Sequence, residues 1–219
     1  MKFLGNPSSG SEAALTYSRN RFGQYVRSRS IPVNPKSTQQ GTVRARLAAN
    51  ASAWRGLTDL QRAGWLSLGG QMSRTDALGQ SYTLNGFQAY CSCNNNNVAA
   101  GNAVVSAAPA LITPDACLTV TPTATAATFS VAFTPTPPAA GQRVFVYCSP
   151  QRSAGRAFEG DLRLVFVSAA AAASPANVFA AYQARFGVPV VGNKVFVTVL
   201  VYEGGFLSGP CTTSVVVSA

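Results

Sequence analysis

The chain has 219 residues, of which 47% are hydrophobic and only 11% charged, so composition argues for packed domains rather than disorder. Seventeen Lys and Arg against seven Asp and Glu give a net charge of +10, and arginine outnumbers lysine fourteen to three. There is no histidine, which removes the commonest general base, the commonest zinc ligand and every Ser-His or Cys-His arrangement.

The basic residues are unevenly placed. Residues 1–105 carry eleven of them with three acids, whereas the remainder carries six with four. A basic half followed by a nearly neutral half predicts two regions with different partners. The start, "MKFLGNPSSG", has no apolar core of signal-peptide length, and no uninterrupted apolar run reaches the ~18 residues of a membrane span. Cytoplasmic synthesis without export and no membrane insertion are therefore expected.

Residues 12–30 read as a β-hairpin, with Leu15 and Tyr17 alternating with polar residues and Arg19-Asn20-Arg21-Phe22-Gly23 as the turn. Period-two alternation sets Tyr25, Arg27 and Arg29 on one face of the second strand. The stretch that follows, "SIPVNPKS", stops the strand, because Pro32 and Pro35 forbid a helix and bias their predecessors to extended geometry. A helix is predicted from Thr38 to Arg55, with Val43, Leu47, Ala51 and Trp54 as its apolar face and Arg44, Arg46 and Arg55 off it. Thr58-Asp59-Leu60-Gln61 has capping-box spacing and opens a second helix through Trp65, closed by Gly69-Gly70. The short corner at 57–58 lets Trp54 and Trp65 share a core. A third helix is predicted over 85–98 with Phe87, Tyr90, Cys91 and Val98 on one stripe, although the four asparagines at 94–97 are poor helix formers.

Small residues and two prolines mark 106–115 as a linker. Beyond it, "ACLTVTPT", "ATFSVAFT", "QRVFVYCS", "DLRLVFVS", "KVFVTVLVY" and "TTSVVVS" are short β-rich runs split by Pro and Gly clusters. Residues 176–187 fit either a strand or a helix. The expected architecture is an α+β module of a hairpin and three helices over 1–105, joined to an all-β immunoglobulin- or fibronectin-III-like sandwich over 116–219.

The five cysteines (Cys91, Cys93, Cys117, Cys148 and Cys211) are odd in number and irregular in spacing, which is no disulfide framework and no zinc-ribbon pattern. Thiols are expected. Cys117 and Cys211 open and close the predicted sandwich, which would set them near disulfide separation, ~5.5–6 Å between Cα atoms. No catalytic residue, cofactor or metal site is expected. The acids are scattered, the loop "FEGD" is explained by turn chemistry, and "GVPVVGNK" lacks the Gly-Lys-Ser/Thr ending of a phosphate loop.

The order Gly23, Arg27-Ser28-Arg29, Pro32, Asn34-Pro35, Gln40, Arg44, Trp54, Leu57-Thr58, Gln61-Arg62, Trp65 and Gly86-Phe87 resembles a family of uncharacterised proteins encoded by bacterial genomes and tailed phages, over the first hundred residues. In that family a hairpin and helical region often precede a β-sandwich, and no activity is assigned. The resemblance implies a phage context and a virion structural or accessory protein. On this reading the partners are other virion structural proteins in a multi-copy assembly. The contact residues are Tyr25, Arg27, Arg29, Ile31, Pro32, Val33, Asn34, Pro35, Lys36, Arg44 and Arg46. A high Arg:Lys ratio suits such interfaces, because guanidinium pairs bidentately with carboxylates. Two alternatives stand beside it. Tyr25, Arg27 and Arg29 could contact phosphates and stack bases, or the chain could build an extracellular filament.

Overall fold

In the computed structural model, residues 9–219 are described apart from Phe22, Pro32, Pro35, Ala77, Leu78 and Pro137. The chain is mixed α+β, with four helices and thirteen strands in several antiparallel sheets among the described residues. It divides into two compact units, one up to Arg44 and one from Ala45 onward.

In the first unit β1 (Gly10–Glu12), β2 (Leu15–Asn20) and β3 (Gly23–Ser28) form a three-stranded antiparallel sheet. The β2–β3 register, Asn20 opposite Gly23 and Leu15 opposite Ser28, leaves two residues in the turn. Gly23 closes it at φ +114°, a value that only glycine adopts without strain. The expected hairpin is present, with β1 as a further strand whose three polar residues gave no alternating signal. α1 (Thr38–Arg55) begins where Ser37 caps it, its hydroxyl accepting from the Gln40 N–H at 3.3 Å.

The second unit has three layers. The middle layer is a five-stranded sheet of β8 (Arg143–Cys148), β9 (Arg163–Val167), β11 (Lys194–Glu203), β12 (Phe206–Leu207) and β13 (Cys211–Val216). β11 pairs β8 along one edge; its other edge carries β13 opposite 194–199 and β12 opposite 202–203. On one side lies a three-stranded sheet of β6 (Thr119–Ala124), β7 (Phe129–Thr134) and β10 (Ala176–Asn177), with β7 central. Pro122 sits in β6, an edge strand of that sheet, where a missing N–H donor is tolerated.

Alternation explains why the middle sheet is buried on both faces. Val144, Val146 and Cys148 of β8 and Val195, Val197, Val199 and Val201 of β11 pack with Phe129, Val131 and Phe133 in one core. Phe145 and Tyr202, which alternate with them, stack at 5.4 Å on the opposite face together with Ala100. That opposite face meets helices. α2 (Asp59–Gln71) and α3 (Gly86–Ala99) bury Trp65, Leu68, Ala89, Tyr90 and Cys93 in a core shared with Phe206 of β12. β4 (Ser73–Thr75) and β5 (Ser81–Thr83) form a small hairpin between these helices.

Most helical expectations are met in detail. Thr58 and Gln61 form the capping box, and Asn85 with Gln88 forms a second. Trp54 and Trp65 do share a core, each against Tyr90 at 5.5 and 5.2 Å. Three features differ. α2 runs through Gly69-Gly70 to Gln71, because Gly69 fits against backbone: a Cβ there would lie 2.6 Å from the Leu84 carbonyl oxygen. The buried stripe of α3 is Ala89, Tyr90, Cys93, Asn94 and Asn97, rotated from the predicted one. On α1 the apolar positions Val43 and Leu47 are exposed, at 58% and 52%.

The ambiguous stretch 176–187 is both things in turn. Ala176–Asn177 is β10, and Phe179–Phe186 is α4, whose Tyr182 is wholly buried against Phe129 at 5.0 Å. The segment 106–115, expected to act as a linker, lies within the second unit. Its first residue is tied down by the Trp65 indole N–H, which donates to the Ser106 carbonyl at 2.8 Å, and Asn94 brackets the preceding Val105 through both backbone groups. Cys117 and Cys211 pack into the same core, and β6 and β13 meet near the parallel bridge Thr125–Ser218. All five cysteines are thiols.

Candidate functional site

The residues singled out in the sequence lie on three consecutive pieces of chain. Tyr25 and Arg27 stand on β3, two residues apart and therefore on one face, with Tyr25 half-buried and Arg27 exposed. Arg29 is just beyond the strand, its N–H donating to the Ala14 carbonyl at 2.7 Å, and its side chain is exposed.

The arm after it has no regular structure at its described residues. Ile31 and Val33 are 75% and 89% exposed, unusual for β-branched residues so close together. Asn34 organises the end of the arm. Its side-chain oxygen accepts from the Lys36 N–H at 3.1 Å and from the Arg44 guanidinium at 3.4 Å. Lys36 itself has φ +48°, the left-handed region that a non-glycine residue enters at a cost. Pro32 and Pro35 lie outside the described residues.

Arg44 and Arg46 are exposed on α1. Arg44 neighbours Val43 and Arg46 neighbours Leu47, so two cations border the two uncovered apolar side chains of the helix. Burying Ile31 and Val33 against a partner would contribute about 3–5 kcal/mol before ordering costs. Among the described residues no acidic side chain pairs with Arg27, Arg29 or Arg46.

Two acids of the second unit, Glu159 and Asp161, are engaged with neighbouring arginines. Glu159 is buried, and it accepts from the Arg152 guanidinium, from the Asp161 N–H at 3.0 Å and from Arg156 at 3.3 Å. The Asp161 backbone hydrogen bond, with Arg152 behind it, holds the Glu159 carboxyl below its ordinary value. Asp161 pairs bidentately with Arg163 at 3.0 Å and is lowered mainly by that contact. Among the described residues no three His, Cys, Asp or Glu side chains come together as metal ligands, and no helix is long and apolar enough to cross a membrane. Burial pushes the Cys93 and Cys117 thiols up to about 11 and Cys148 to about 12; the nearby Cys211 adds to the shift of Cys117.

Two clefts open in the second unit. One, about 490 Å³, is lined from β4, α3, residues 111–113 and β12; the other, about 360 Å³, from α1, β5 and α3. Arg74 and Ser92 line both. Sequence reasoning did not single out this region, because β4 and β5 are three residues each and too short for a periodic signal.

No family model matches the chain, and no match is found among curated proteins or among solved structures.

Proposed function

We propose that the chain is a non-enzymatic structural protein of a bacteriophage virion, a capsid- or tail-associated accessory or decoration protein, and that it works through protein–protein contacts. The observation that carries the assembly reading is the arm between β3 and α1. Ile31 and Val33 stand uncovered there, flanked by Arg27, Arg29 and Lys36. Prolines at 32 and 35 bar it from a helix or a central strand, so a neighbouring surface is the natural place for its remaining backbone groups to find partners. The resemblance of the first hundred residues supports the virion context. On the same reading the two packed sheets of the second unit are an immunoglobulin- or fibronectin-III-like module that presents a low-charge surface.

The experiment is direct. The Arg27→Ala/Arg29→Ala chain is followed for incorporation into particles and, separately, for binding to duplex DNA over a salt series. Loss of incorporation with no steep salt dependence is expected. Phosphate contacts would lower log K by ~0.9 per contact per log unit of salt. Intact incorporation combined with loss of a salt-steep DNA affinity would replace assembly by nucleic-acid binding.

A further inference from the structure

The two clefts that share Arg74 and Ser92 form one groove along α3. Asn96 lines the first, Ser92 both and Gln88 the second, at spacings of four that set all three on one helix face. At 1.5 Å rise per residue this floor is about 12 Å long, the span of about four extended residues. Leu47, Tyr82 and Phe87 wall one end, and Leu111, Leu200 and Phe206 the other. Arg74 stands at the middle from β4, opposite Tyr82 of β5 in the hairpin register, and is exposed. It is the sole charged residue lining either cleft, and among the described residues no carboxylate pairs with it. Along the rim, Leu111, Ile112 and Thr113 run without regular structure, and among the described residues no hydrogen bond reaches their backbone groups.

The geometry points to a second docking site, independent of the N-terminal arm: a groove that takes a short extended peptide with an acidic residue between two apolar ones. The carboxylate meets Arg74, the flanking apolar side chains enter the two ends, and the peptide backbone pairs with 111–113 as an added strand does. A lone small carboxylate would leave both apolar ends and the rim unused. A second copy of this chain is a poor occupant, because of its seven acids Asp59, Glu159, Asp161 and Glu203 already hold internal partners. Two molecules of charge +10 also repel.

The test uses a displayed random heptapeptide library selected on the full chain. Recovered sequences should share an acidic residue flanked by apolar ones. A synthetic peptide of that consensus should shift the amide resonances of Ser92, Asn96 and 111–113. Arg74→Gln, a change at an exposed side chain, should weaken it at least tenfold. Ser92→Phe, which blocks the middle of the groove, should abolish binding, and Arg27→Ala/Arg29→Ala should leave it unchanged. The inference is overturned by a selection without an acidic–apolar consensus, or by affinity within twofold of the parent in both groove variants. It is equally overturned if acetate alone reproduces the shifts, which would make the groove a small-anion site, or if the protein self-associates through it.

Discussion

Removing one hydroxyl, by Tyr202→Phe, tests whether the helices and the sheets of the second unit form one cooperative body. Tyr202 lies on β11 and is 2% exposed. Its hydroxyl donates to the Asn97 side-chain oxygen at 2.7 Å and accepts from the Asn102 side-chain nitrogen at 2.9 Å. Phenylalanine keeps the stacking on Phe145 but leaves the buried Asn97 oxygen without that donor. An orphaned buried acceptor costs about 1–3 kcal/mol. For a body of this size each kcal/mol moves Tm by about 2–4 °C, so a fall of about 4–8 °C is expected for the middle of that range. The two tryptophans of the chain, Trp54 and Trp65, both lie in the helical layer. Their fluorescence reports the helices, whereas circular dichroism in the β region reports the sheets. Both signals should move together and by the same amount in Tyr202→Phe. A dichroism transition that shifts while the fluorescence transition stays put would show that the layers unfold separately and are not one cooperative body.

Gly69→Ala should destabilise by about 1–3 kcal/mol because its Cβ would strike the Leu84 and Asn85 carbonyls at 2.6 and 3.0 Å. Gly70→Ala, with nothing within 4 Å, should stabilise by up to about 1 kcal/mol, and urea melts distinguish the two. Glu159 has a folded value below its ordinary 4.5. Its contribution is therefore fully present above that unfolded value and disappears as pH falls through the folded one. The urea midpoint should drop in that acid range, and Glu159→Gln should flatten the drop. With a disulfide reagent the half-buried Cys91 and Cys211 should react on the native protein, and Cys93, Cys117 and Cys148 only after denaturant is added.

The helical region was largely legible in the sequence where local chemistry decides. Thr58 with Gln61 marks a helix start by side-chain geometry alone, and Asn85 was read correctly as the opening of α3. The central strands were legible too, since Val144 to Cys148 is a continuous apolar run and Val195 to Val201 is broken only by Thr198, the pattern of strands buried on both faces. What escaped was tertiary. The poor propensity of Asn94 to Asn97 is overridden by hydrogen bonds to Val105, Asn50, Gly205 and Tyr202, residues that no window on α3 contains. Val43 and Leu47 have helical spacing whether or not a neighbour covers them, so periodicity alone misassigned them to a core. The N-terminal candidate residues were found by charge and proline content. The groove at Arg74 was not, because its lining is gathered from several elements far apart in the chain, none of which carries a signal by itself.

The asparagine run has a consequence for how the protein ages. An asparagine deamidates when the backbone nitrogen of the next residue attacks its side-chain carbonyl and ammonia leaves, and asparagine is a thermolabile residue for that reason. In a loose chain four in a row would be a hot spot. In α3 the helical backbone holds each nitrogen away from the preceding side chain, and each amide is fastened elsewhere, Asn95 by the Asn50 amide at 3.1 Å and Asn96 to the Gly205 carbonyl at 2.8 Å. Chemical wear at 94–97 therefore becomes a record of how often this helix has opened, legible as a one-dalton mass gain long after the protein has closed again.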